Sequence, residues 1–596
     1  MKRGGIALAA LTLLLLFALG CSAAREDEAV LPEATSLPTA APTAVAAPTA
    51  TPLPDDYDAP VDFSGQPGLL RAVQYALATD RNEITYRELD TIETLILADG
   101  AHITDVGVLA RATNLSKLVV VDGELDLSPL AGLPRLTSLT VTGGWYGDLC
   151  RVAVLPQLTE LNLFGYDTTD FTPLYELKQL TTFRAGNHQT YDFSALADMP
   201  RLTTLLLPDA RKNDLSWIAG LTNLEDLTIW PCKQKYFDWM SGMTSLRRLH
   251  LDMRVNADFS ALAALTNLTE LRIEMESGRV LDDLSWLGVL TELDTLYLNG
   301  LRLPNMHVLE GLKNLETLTL GNVHDSIRIY EFPDLPDLTS LTITDCSVVN
   351  AGDLVRFPAL TRLALVNSTV DDHRAIYELT KLTSLTMRPD AAGGVRSIGG
   401  VERLTALTNL TELDWGGRAG KLDEIAALSK LEKLRLSGAR VTDWRALTRL
   451  SNLRELDLSH NRIARVPDTI SNMTALERLD LSDNGLRYVE LLKQVPSLTH
   501  LTVAGLGRTT DLATLTTLPR LAALRLVPLA KTDMTVERID ALGAETDAIT
   551  DALRLTAPYL NDAESEAVMA RFQLFDYLHQ PYYGSEAWYP PLAAPY

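Results

Sequence analysis

The feature that most constrains this chain is a spaced set of leucines, L-x-x-L-x-L, that recurs about every 22 residues along most of its length. Residues 453–463 read LRELDLSHNRI, and residues 476–486 read LERLDLSDNGL, 23 positions later. The first position of the pattern falls at 20 places: Ile92, Leu115, Leu136, Leu158, Leu180, Leu202, Leu224, Leu246, Leu268, Leu293, Leu315, Leu338, Leu360, Leu382, Leu410, Leu431, Leu453, Leu476, Leu498 and Leu521. One unit of this length cannot bury its own leucines, so the pattern predicts a solenoid in which stacked units share one core.

A second half-motif follows the leucine segments and narrows the type of repeat. It reads DLSPLAGL at 126–133, DFTPLYEL at 170–177, DFSALADM at 192–199, DLSWIAGL at 214–221 and DLSWLGVL at 283–290. Together the two half-motifs resemble the 22-residue leucine-rich repeats of bacterial internalins. This resemblance implies an α/β solenoid, a leucine-rich repeat horseshoe with parallel concave strands, short helical turns on the convex side, and helical caps at both ends.

The ends of the repeat array suggest where such caps lie. Residues 62–91 are expected to form a helical N-terminal cap, in which Pro67 suits the first turn of a helix. The repeats, about 20 of them, then occupy residues 92–530. Residues 531–596, where the leucine period has stopped, are expected to form a helical C-terminal cap and an aromatic tail.

The N-terminus has the composition of an export signal. Lys2 and Arg3 precede an uninterrupted apolar run at residues 6–19, which is too short to span a bilayer comfortably. The run ends in ALGC at 18–21, which resembles the lipobox of bacterial lipoproteins. The resemblance implies that residues 1–21 are a lipoprotein signal and that Cys21 becomes lipidated. The alternative is an ordinary signal peptide that happens to contain a cysteine.

Residues 22–61 are rich in proline, alanine and threonine and carry no periodic apolar pattern. A segment of this composition cannot build a core, so we expect a disordered stalk between the anchor and the folded part. The expected location is extracytoplasmic, lipid-anchored to the bacterial cell membrane or outer membrane, with no contact to the membrane except through the lipid.

Charge and motif content exclude several classes of function. The formal net charge is −24, which argues against a nucleic-acid partner because phosphate binding needs clustered lysine and arginine. The sequence contains no HExxH, GxSxG or CxxC motif, and GGRAGKL at 416–422 lacks the first glycine and the final Ser or Thr of a phosphate loop. We therefore expect a protein that is not an enzyme and that uses no catalytic residue, metal or cofactor.

One slot of the repeat, eight residues after the first leucine, usually holds asparagine in the family. Here Asn461 and Asn484 occupy that slot, whereas most other repeats place a different residue there. Cys232 and Cys346 fall in the same slot, and cysteine is a common replacement for that asparagine. We expect both thiols to be buried core groups.

Function in such a fold lies on the outward strand positions, which are the third, fifth and seventh residues of each repeat. Aromatic and arginine side chains at these positions are the types that carry interface energy. The predicted ligand-binding residues of the concave face are Phe164, Arg184, Trp230, His250, Arg272 and Tyr297. The preferred function is a cell-surface binding protein that recognises a protein partner or mediates adhesion. The alternatives are a polysaccharide-binding protein and a cell-envelope enzyme with an unrecognised site.

Charged residues in the third position alternate in sign toward the end of the array. The alternation runs through Glu412, Lys433, Glu455 and Arg478. Neighbouring strands with opposite charges favour cross-strand ion pairs, so we interpret this row as scaffold. Asp457 and Asp480 in the next row do not alternate, and two carboxylates on a flat sheet make a poor cation site.

Overall fold

The computed structural model describes residues 57–504 and 523–527, with gaps. The gaps lie at 80, 98–102, 122–124, 146–148, 167–169, 187–191, 209–213, 277–278, 280, 282, 301, 303–305, 324–325, 389–400 and 487. The chain divides into unit 1, Met1–Trp230, and unit 2, Pro231–Tyr596. The predicted signal with Cys21, nearly all of the predicted stalk and the predicted C-terminal cap lie outside the described residues.

Unit 1 consists of short parallel strands joined by tight helical turns. Its strands are β1 (Thr94–Leu97), β2 (Lys117–Val121), β3 (Ser138–Trp145), β4 (Glu160–Tyr166), β5 (Thr182–Gly186), β6 (Thr204–Pro208) and β7 (Asp226–Cys232), the last of which ends two residues past the unit boundary. Its α-helices are α1 (Pro67–Ala76), α2 (Tyr86–Leu89) and α3 (Cys150–Ala153). Its 3-10 helices are Gly107–Arg111, Ser128–Leu130, Thr172–Glu176, Ser194–Leu196 and Ser216–Gly220. Each strand pairs in parallel with the next, from β1 with β2 to β6 with β7.

Unit 2 repeats the same arrangement. Its main strands are β8 (Arg248–Met253), β9 (Glu270–Met275), β10 (Thr295–Asn299), β11 (Thr317–Gly321), β13 (Ser340–Thr344), β15 (Arg362–Val366), β17 (Ser384–Arg388), β18 (Glu412–Trp415), β19 (Lys433–Arg435), β20 (Glu455–Asp457), β21 (Arg478–Leu481), β22 (His500–Ala504) and β23 (Ala523–Val527). These pair in parallel in the order given. A second small parallel sheet joins β12 (Ile327–Arg328), β14 (Ser347–Val349) and β16 (Thr369–Val370).

Helical turns connect the strands of unit 2 as well. One is an α-helix, α4 (Leu422–Ala426). The 3-10 helices are Asp238–Gly242, Ser260–Ala264, Leu287–Val289, Met306–Leu309, Ile329–Glu331, Ala351–Arg356, His373–Glu378, Val401–Ala406, Arg445–Arg449, Ile470–Asn472 and Glu490–Gln494. Parallel strands linked by short helical turns confirm the predicted solenoid class.

The leucine pattern explains why each segment becomes a strand with one buried side. In β8, Leu249 and Leu251 are buried, whereas Arg248 and His250 point to the other face of the sheet. Side chains alternate between the two faces of a strand with a period of two residues. The leucines at the fourth and sixth positions of the repeat therefore point inward together. All first positions within the described residues, from Ile92 to Leu498, are buried. Each fully buried leucine contributes about 1.5–3 kcal/mol relative to an exposed one.

The DLS half-motif works as a cap for the 3-10 turn that follows each strand. The carboxylate of Asp214 accepts the backbone N–H of Ser216 at 2.8 Å, and Asp258 accepts that of Ser260 at 2.9 Å. The same bond recurs at Asp126, Asp170, Asp192 and Asp283. Each aspartate thus satisfies a donor that the short helix leaves without an internal partner.

Two ladders of polar side chains tie each repeat to the one before it. An asparagine immediately before the first leucine donates to a carbonyl of the preceding repeat, at 2.8 Å from Asn223 to Pro200 and 2.8 Å from Asn267 to Thr244. The same bond recurs at Asn114, Asn314, Asn409 and Asn452. Immediately after the first leucine, Thr181 Oγ1 donates to the carbonyl of Thr159 at 3.0 Å. These bonds join neighbouring repeats beside the first leucine of each unit.

The eighth-position slot does carry polar groups in several repeats of unit 2. Asn461 Oδ1 accepts the N–H of Val441 at 2.8 Å, and its Nδ2 donates to the carbonyl of Leu436 at 2.8 Å. Cys346 Sγ takes the same place, accepting from Val323 N at 3.4 Å and donating to Thr344 O at 2.9 Å. Both Cys346 and Cys232 are buried, which confirms the expectation of core thiols.

Helix α1 packs against β1 at the start of unit 1. Pro67 stands at its first turn, and the side chains of Leu69 and Val73 are fully buried. Helix α2 begins with a capping box, in which Thr85 and Glu88 satisfy each other's backbone N–H groups. These helices cover the leucine side chains at the open end of the first repeat.

Candidate functional site

The outward positions of the strands form a surface that we call the strand face. In unit 2 its most densely bonded part lies on β8, β9 and β10, where Arg272 pairs in register with His250 on one side and Tyr297 on the other. We call this group, together with Asp252, Arg254, Glu274, Glu276 and Asn299, the arginine–tyrosine cluster. The structure thus brings together three of the predicted site residues.

Arg272 is held between a carboxylate and an aromatic ring. Its Nε donates to Glu274 Oε1 at 2.6 Å, and Nη2 contacts the same oxygen. Its guanidinium carbon lies 4.2 Å from the centre of the Tyr297 ring, which is cation–π geometry. Burial raises the pKa of Tyr297, so its hydroxyl stays protonated at neutral pH. Asn299 Nδ2 donates to that hydroxyl at 3.4 Å.

His250 is neutral in this cluster. Burial and, to a smaller extent, the charge of the neighbouring Arg272 together lower the pKa of His250 to about 3. Its Nε2 lies 3.7 Å from Glu274 Oε1, too far for a hydrogen bond, and has no bonding partner among the described residues. Glu274 therefore interacts with one charged partner, Arg272, rather than two.

Beside these groups a second arginine bridges two acids. Arg254 Nη2 contacts Asp252 Oδ2 at 3.0 Å, and Nη1 contacts Glu276 Oε1 at 3.4 Å. Asp252 is only 7% exposed, and its burial raises its pKa while Arg254 opposes the shift. The charges of the cluster are thus paired among themselves.

The strand face of unit 1 holds a smaller hydrogen-bonded group on β3, β4 and β5. Glu160 accepts from Arg184 Nη1 at 2.9 Å, from Asn162 Nδ2 at 3.0 Å and from Ser138 Oγ at 3.0 Å. Burial alone would raise the pKa of Glu160, but these hydrogen bonds and the charge of Arg184 lower it. The buried Asn162 also donates to Thr140 Oγ1 at 3.1 Å.

Next to this group runs a row of residues that we call the aromatic row: Thr142, Phe164, Gly186, Pro208 and Trp230. Thr142 pairs with Phe164, Phe164 with Gly186, and Pro208 with Trp230. The Phe164 ring leans over Gly186, because a Cβ added there would lie 2.5 Å from Phe164 Cδ1. Phe164 and Trp230 are both half-buried.

The predicted site residues therefore fall into two groups, one in each unit. Phe164, Arg184 and Trp230 lie on the strand face of unit 1, and His250, Arg272 and Tyr297 on that of unit 2. Trp230 and Tyr297 are both half-buried in their strands.

Sequence reasoning did not identify Glu276 or the bridging Arg254 as parts of the site. The available signal was their spacing, since Asp252 and Glu274 occupy the seventh position of neighbouring repeats. Arg254 and Glu276 follow two residues later in each.

The charged row near the end of the array pairs as predicted. Lys433 Nζ lies 3.1 Å from Glu412 Oε1, and Arg478 Nε lies 3.8 Å from Glu455 Oε1. Asp457 and Asp480 each accept a backbone N–H two residues later, at 2.8 Å in both cases. In the part of the chain that the structure describes, no three His, Cys, Asp or Glu side chains gather as a metal site. In that same part, no helix is long and apolar enough to cross a membrane.

Comparison with known proteins locates the repeat family in the sequence. A family model described as leucine rich repeat matches residues 429–486 and 451–505. The human volume-regulated anion channel subunit LRRC8E is 34% identical over 94 residues, and the mouse protein is 35% identical over 94. That match covers 15% of this chain and spans 12% of the length of each relative.

Solved structures extend the likeness over most of the chain. The TLR13–ssRNA13 complex matches 80% of this chain and 76% of its own, with 19% identity and a TM-score of 0.50. An internalin of Listeria monocytogenes matches 73% of this chain and 94% of its own, with 18% identity and a TM-score of 0.31. The parallel strands, the helical turns and the matched repeats together show that the protein has the fold of a leucine-rich repeat solenoid.

Proposed function

We propose that this protein is a non-enzymatic recognition protein of the bacterial cell surface, anchored by a lipid on Cys21. Its partner is a protein, which binds the strand face of unit 2 at the arginine–tyrosine cluster. The observation that carries the proposal is Arg272 fixed between Glu274 and Tyr297.

The fixed geometry of Arg272 favours binding because an arginine normally loses rotamer freedom when a partner immobilises it. Here Glu274 and Tyr297 already hold the side chain in place, so that entropy loss has occurred before binding. Arginine and tyrosine are also the residue types most enriched among interface hot spots. A rigid pair of these residues on a sheet suits a protein surface.

The strand face supports recognition better than catalysis. The charges of the cluster are paired with each other, and His250 does not change its protonation state near neutral pH. A general acid or base needs a pKa near the working pH. The pKa of about 3 for His250 lies far from that range.

The lipid anchor is supported by the sequence of the first 61 residues. The apolar run, the ALGC segment and the proline-rich stalk occur in the order that a lipoprotein requires. A stalk of this kind holds the repeats away from the membrane, where a partner on another surface can reach them.

The proposal is tested by capture with the purified full chain, followed by affinity measurement with the captured protein. Arg272→Ala and Tyr297→Ala are each expected to weaken binding at least about tenfold, since each removes half of the stacked pair. Arg272→Lys should be intermediate, because lysine keeps the charge but loses the planar fork.

The matched control is Tyr330→Ala, which removes an exposed tyrosine from a helical turn of the same unit. It should bind like the parent chain. Unchanged affinity in both Arg272→Ala and Tyr297→Ala, with the fold intact by circular dichroism, would refute the cluster as the contact.

A further inference from the structure

We propose that unit 1 carries a second, separate binding site: the aromatic row binds an uncharged polysaccharide whose chain crosses the strands. The site goes beyond protein recognition by unit 2. Its elements are the rings of Phe164 and Trp230, the bare backbone at Gly186 between them, and the hydroxyl of Thr142.

Gly186 leaves a place for the first ring. A Cβ at position 186 would lie 2.5 Å from Cδ1 and 3.1 Å from Cε1 of Phe164, closer than real side-chain atoms approach. The ring thus covers the strand where a side chain would stand, and Phe164 remains half-buried rather than fully enclosed. A ring held in this way offers apolar area at a small cost in side-chain entropy.

The second ring lies farther along the same row. From β5 to β7 there are two strand spacings, so Gly186 and Trp230 are roughly 10 Å apart. This separation is comparable with the length of a disaccharide unit. Two aromatic platforms at that separation match alternate sugars of a chain that runs across the strands.

An unpaired hydroxyl gives an independent sign of a ligand. Thr142 is only 8% exposed, and its Oγ1 is buried without a hydrogen-bond partner among the described residues. An unpaired buried hydroxyl costs free energy, and it lies directly beside Phe164 in the row. A sugar hydroxyl, which both donates and accepts, satisfies it whichever way it rotates.

The charges around the row select an uncharged polymer. Beside the row, Arg184 and Glu160 form an ion pair at 2.9 Å and neutralise each other. Arg184 also contacts Asn162, and it is therefore not an unpaired cation among these described groups. The whole chain has a formal net charge of −24, which repels acidic polysaccharides.

The experiment is affinity electrophoresis of the full chain in gels containing soluble polysaccharides. The neutral probes are hydroxyethyl cellulose, galactomannan and dextran. Carboxymethyl cellulose is the charged comparison, since it has the same cellulose backbone as hydroxyethyl cellulose but carries negative charge. We expect retardation by at least one neutral probe and none by the charged one. Retardation by no neutral probe would overturn the proposal.

Four variants connect retardation to the row. Phe164→Ala and Trp230→Ala should each weaken polysaccharide binding about tenfold, whereas Phe164→Tyr, which keeps an aromatic ring, should bind like the parent chain. Gly186→Ala should also weaken it, since the new methyl group must displace the Phe164 ring. If Phe164→Ala, Trp230→Ala and Gly186→Ala were all retarded as strongly as the parent chain, the site would be overturned even though the parent chain binds.

Variants of unit 2 separate this proposal from the proposed protein recognition. Tyr297→Ala should weaken protein binding but keep polysaccharide retardation, and Phe164→Ala should weaken retardation but keep protein binding. A third outcome combines two results: Phe164→Ala loses protein capture, and no neutral probe retards the parent chain. This outcome would show that the row is a protein contact. That result would refute the polysaccharide site and leave the role of unit 2 intact.

Discussion

Asn461 shows at the scale of one residue how a repeat is closed. Its amide accepts from Val441 and donates to the carbonyls of Leu436 and Leu458, at 2.8, 2.8 and 2.9 Å. One side chain thus satisfies backbone groups in its own repeat and in the preceding one, deep in the core. Asn452 in the same repeat makes a single bond at the exposed edge.

This contrast gives a prediction for stability. Asn461→Ala should lower the free energy of unfolding by about 2 kcal/mol, because it leaves buried backbone groups unpaired. Asn452→Ala should cost less than about 1 kcal/mol, since water can replace its exposed bond. Urea denaturation of both variants measures the difference, and equal costs would contradict the role assigned to the buried slot.

The cysteines give a second prediction at this scale. Burial raises the pKa of the Cys346 thiol to about 11, and Cys232 is also buried, whereas Cys150 is exposed. At pH 8 in the native protein, a thiol reagent should modify Cys150 and spare Cys346 and Cys232; unfolding should make all three reactive. Peptide mass spectrometry identifies the modified sites, and rapid native labelling of Cys346 would count against its place in the core.

At the scale of elements, the helical turns combine a polar cap with a stacked apolar core. The residue after each capping aspartate points inward. One of them, Phe259 after Asp258, stacks on Phe237 at 5.3 Å between ring centres. In unit 1 the ring centres of Phe171 and Phe193 lie 4.6 Å apart, with the rings tilted by 56°. The half-motif is therefore one device with two functions, since aspartate closes the turn and the next residue fills the core.

Because the caps are carboxylates, the stability of the turns should depend on pH. The hydrogen bond from Ser285 holds the pKa of Asp283 below its ordinary value of 3.8. A carboxylate whose pKa is lowered by folding stabilises the native state above that ordinary value, and the effect disappears as the pH falls through the lowered pKa. Asp283→Ala should therefore lower Tm at pH 7 but have almost no effect near pH 2.

Thermal unfolding followed by circular dichroism at both pH values checks this prediction. Glu292→Ala is the matched control, since Glu292 is an exposed acid in the same repeat. It should leave Tm nearly unchanged at both pH values. A loss of Tm in Asp283→Ala that is equally large at pH 2 would indicate a cause other than the carboxylate cap.

At the scale of the whole molecule, nearly every polar contact between repeats joins residues about one repeat apart. The Asn267–Thr244 bond spans 23 residues and the Thr181–Thr159 bond spans 22. In a solenoid of this kind, stability is a sum of repeat and nearest-neighbour contributions. We therefore expect that the proposed lipid at residue 21 fixes one end of the chain without disturbing the repeats proposed to bind ligands.

The anchor is tested by Cys21→Ser. The variant should leave the membrane fraction and appear in the soluble or culture fraction, because the acylated thiol is lost. Cys150→Ser is the control, since it removes an exposed cysteine of the repeats without touching the signal. Membrane retention of Cys21→Ser, assayed by fractionation and immunoblotting, would contradict the lipidation proposal.

The sequence by itself determined the solenoid class, the phase of the buried leucines and the outward positions, because these follow from a periodicity that neighbouring repeats share. It also placed Phe164, Arg184, Trp230, His250, Arg272 and Tyr297 on the strand face. Only the tertiary structure decided how those side chains pair: Arg272 with Glu274 and Tyr297, and Phe164 over Gly186. Such contacts depend on side-chain direction and on the residue in the adjacent repeat, some 22 positions away, and a pattern that specifies spacing carries no information about either.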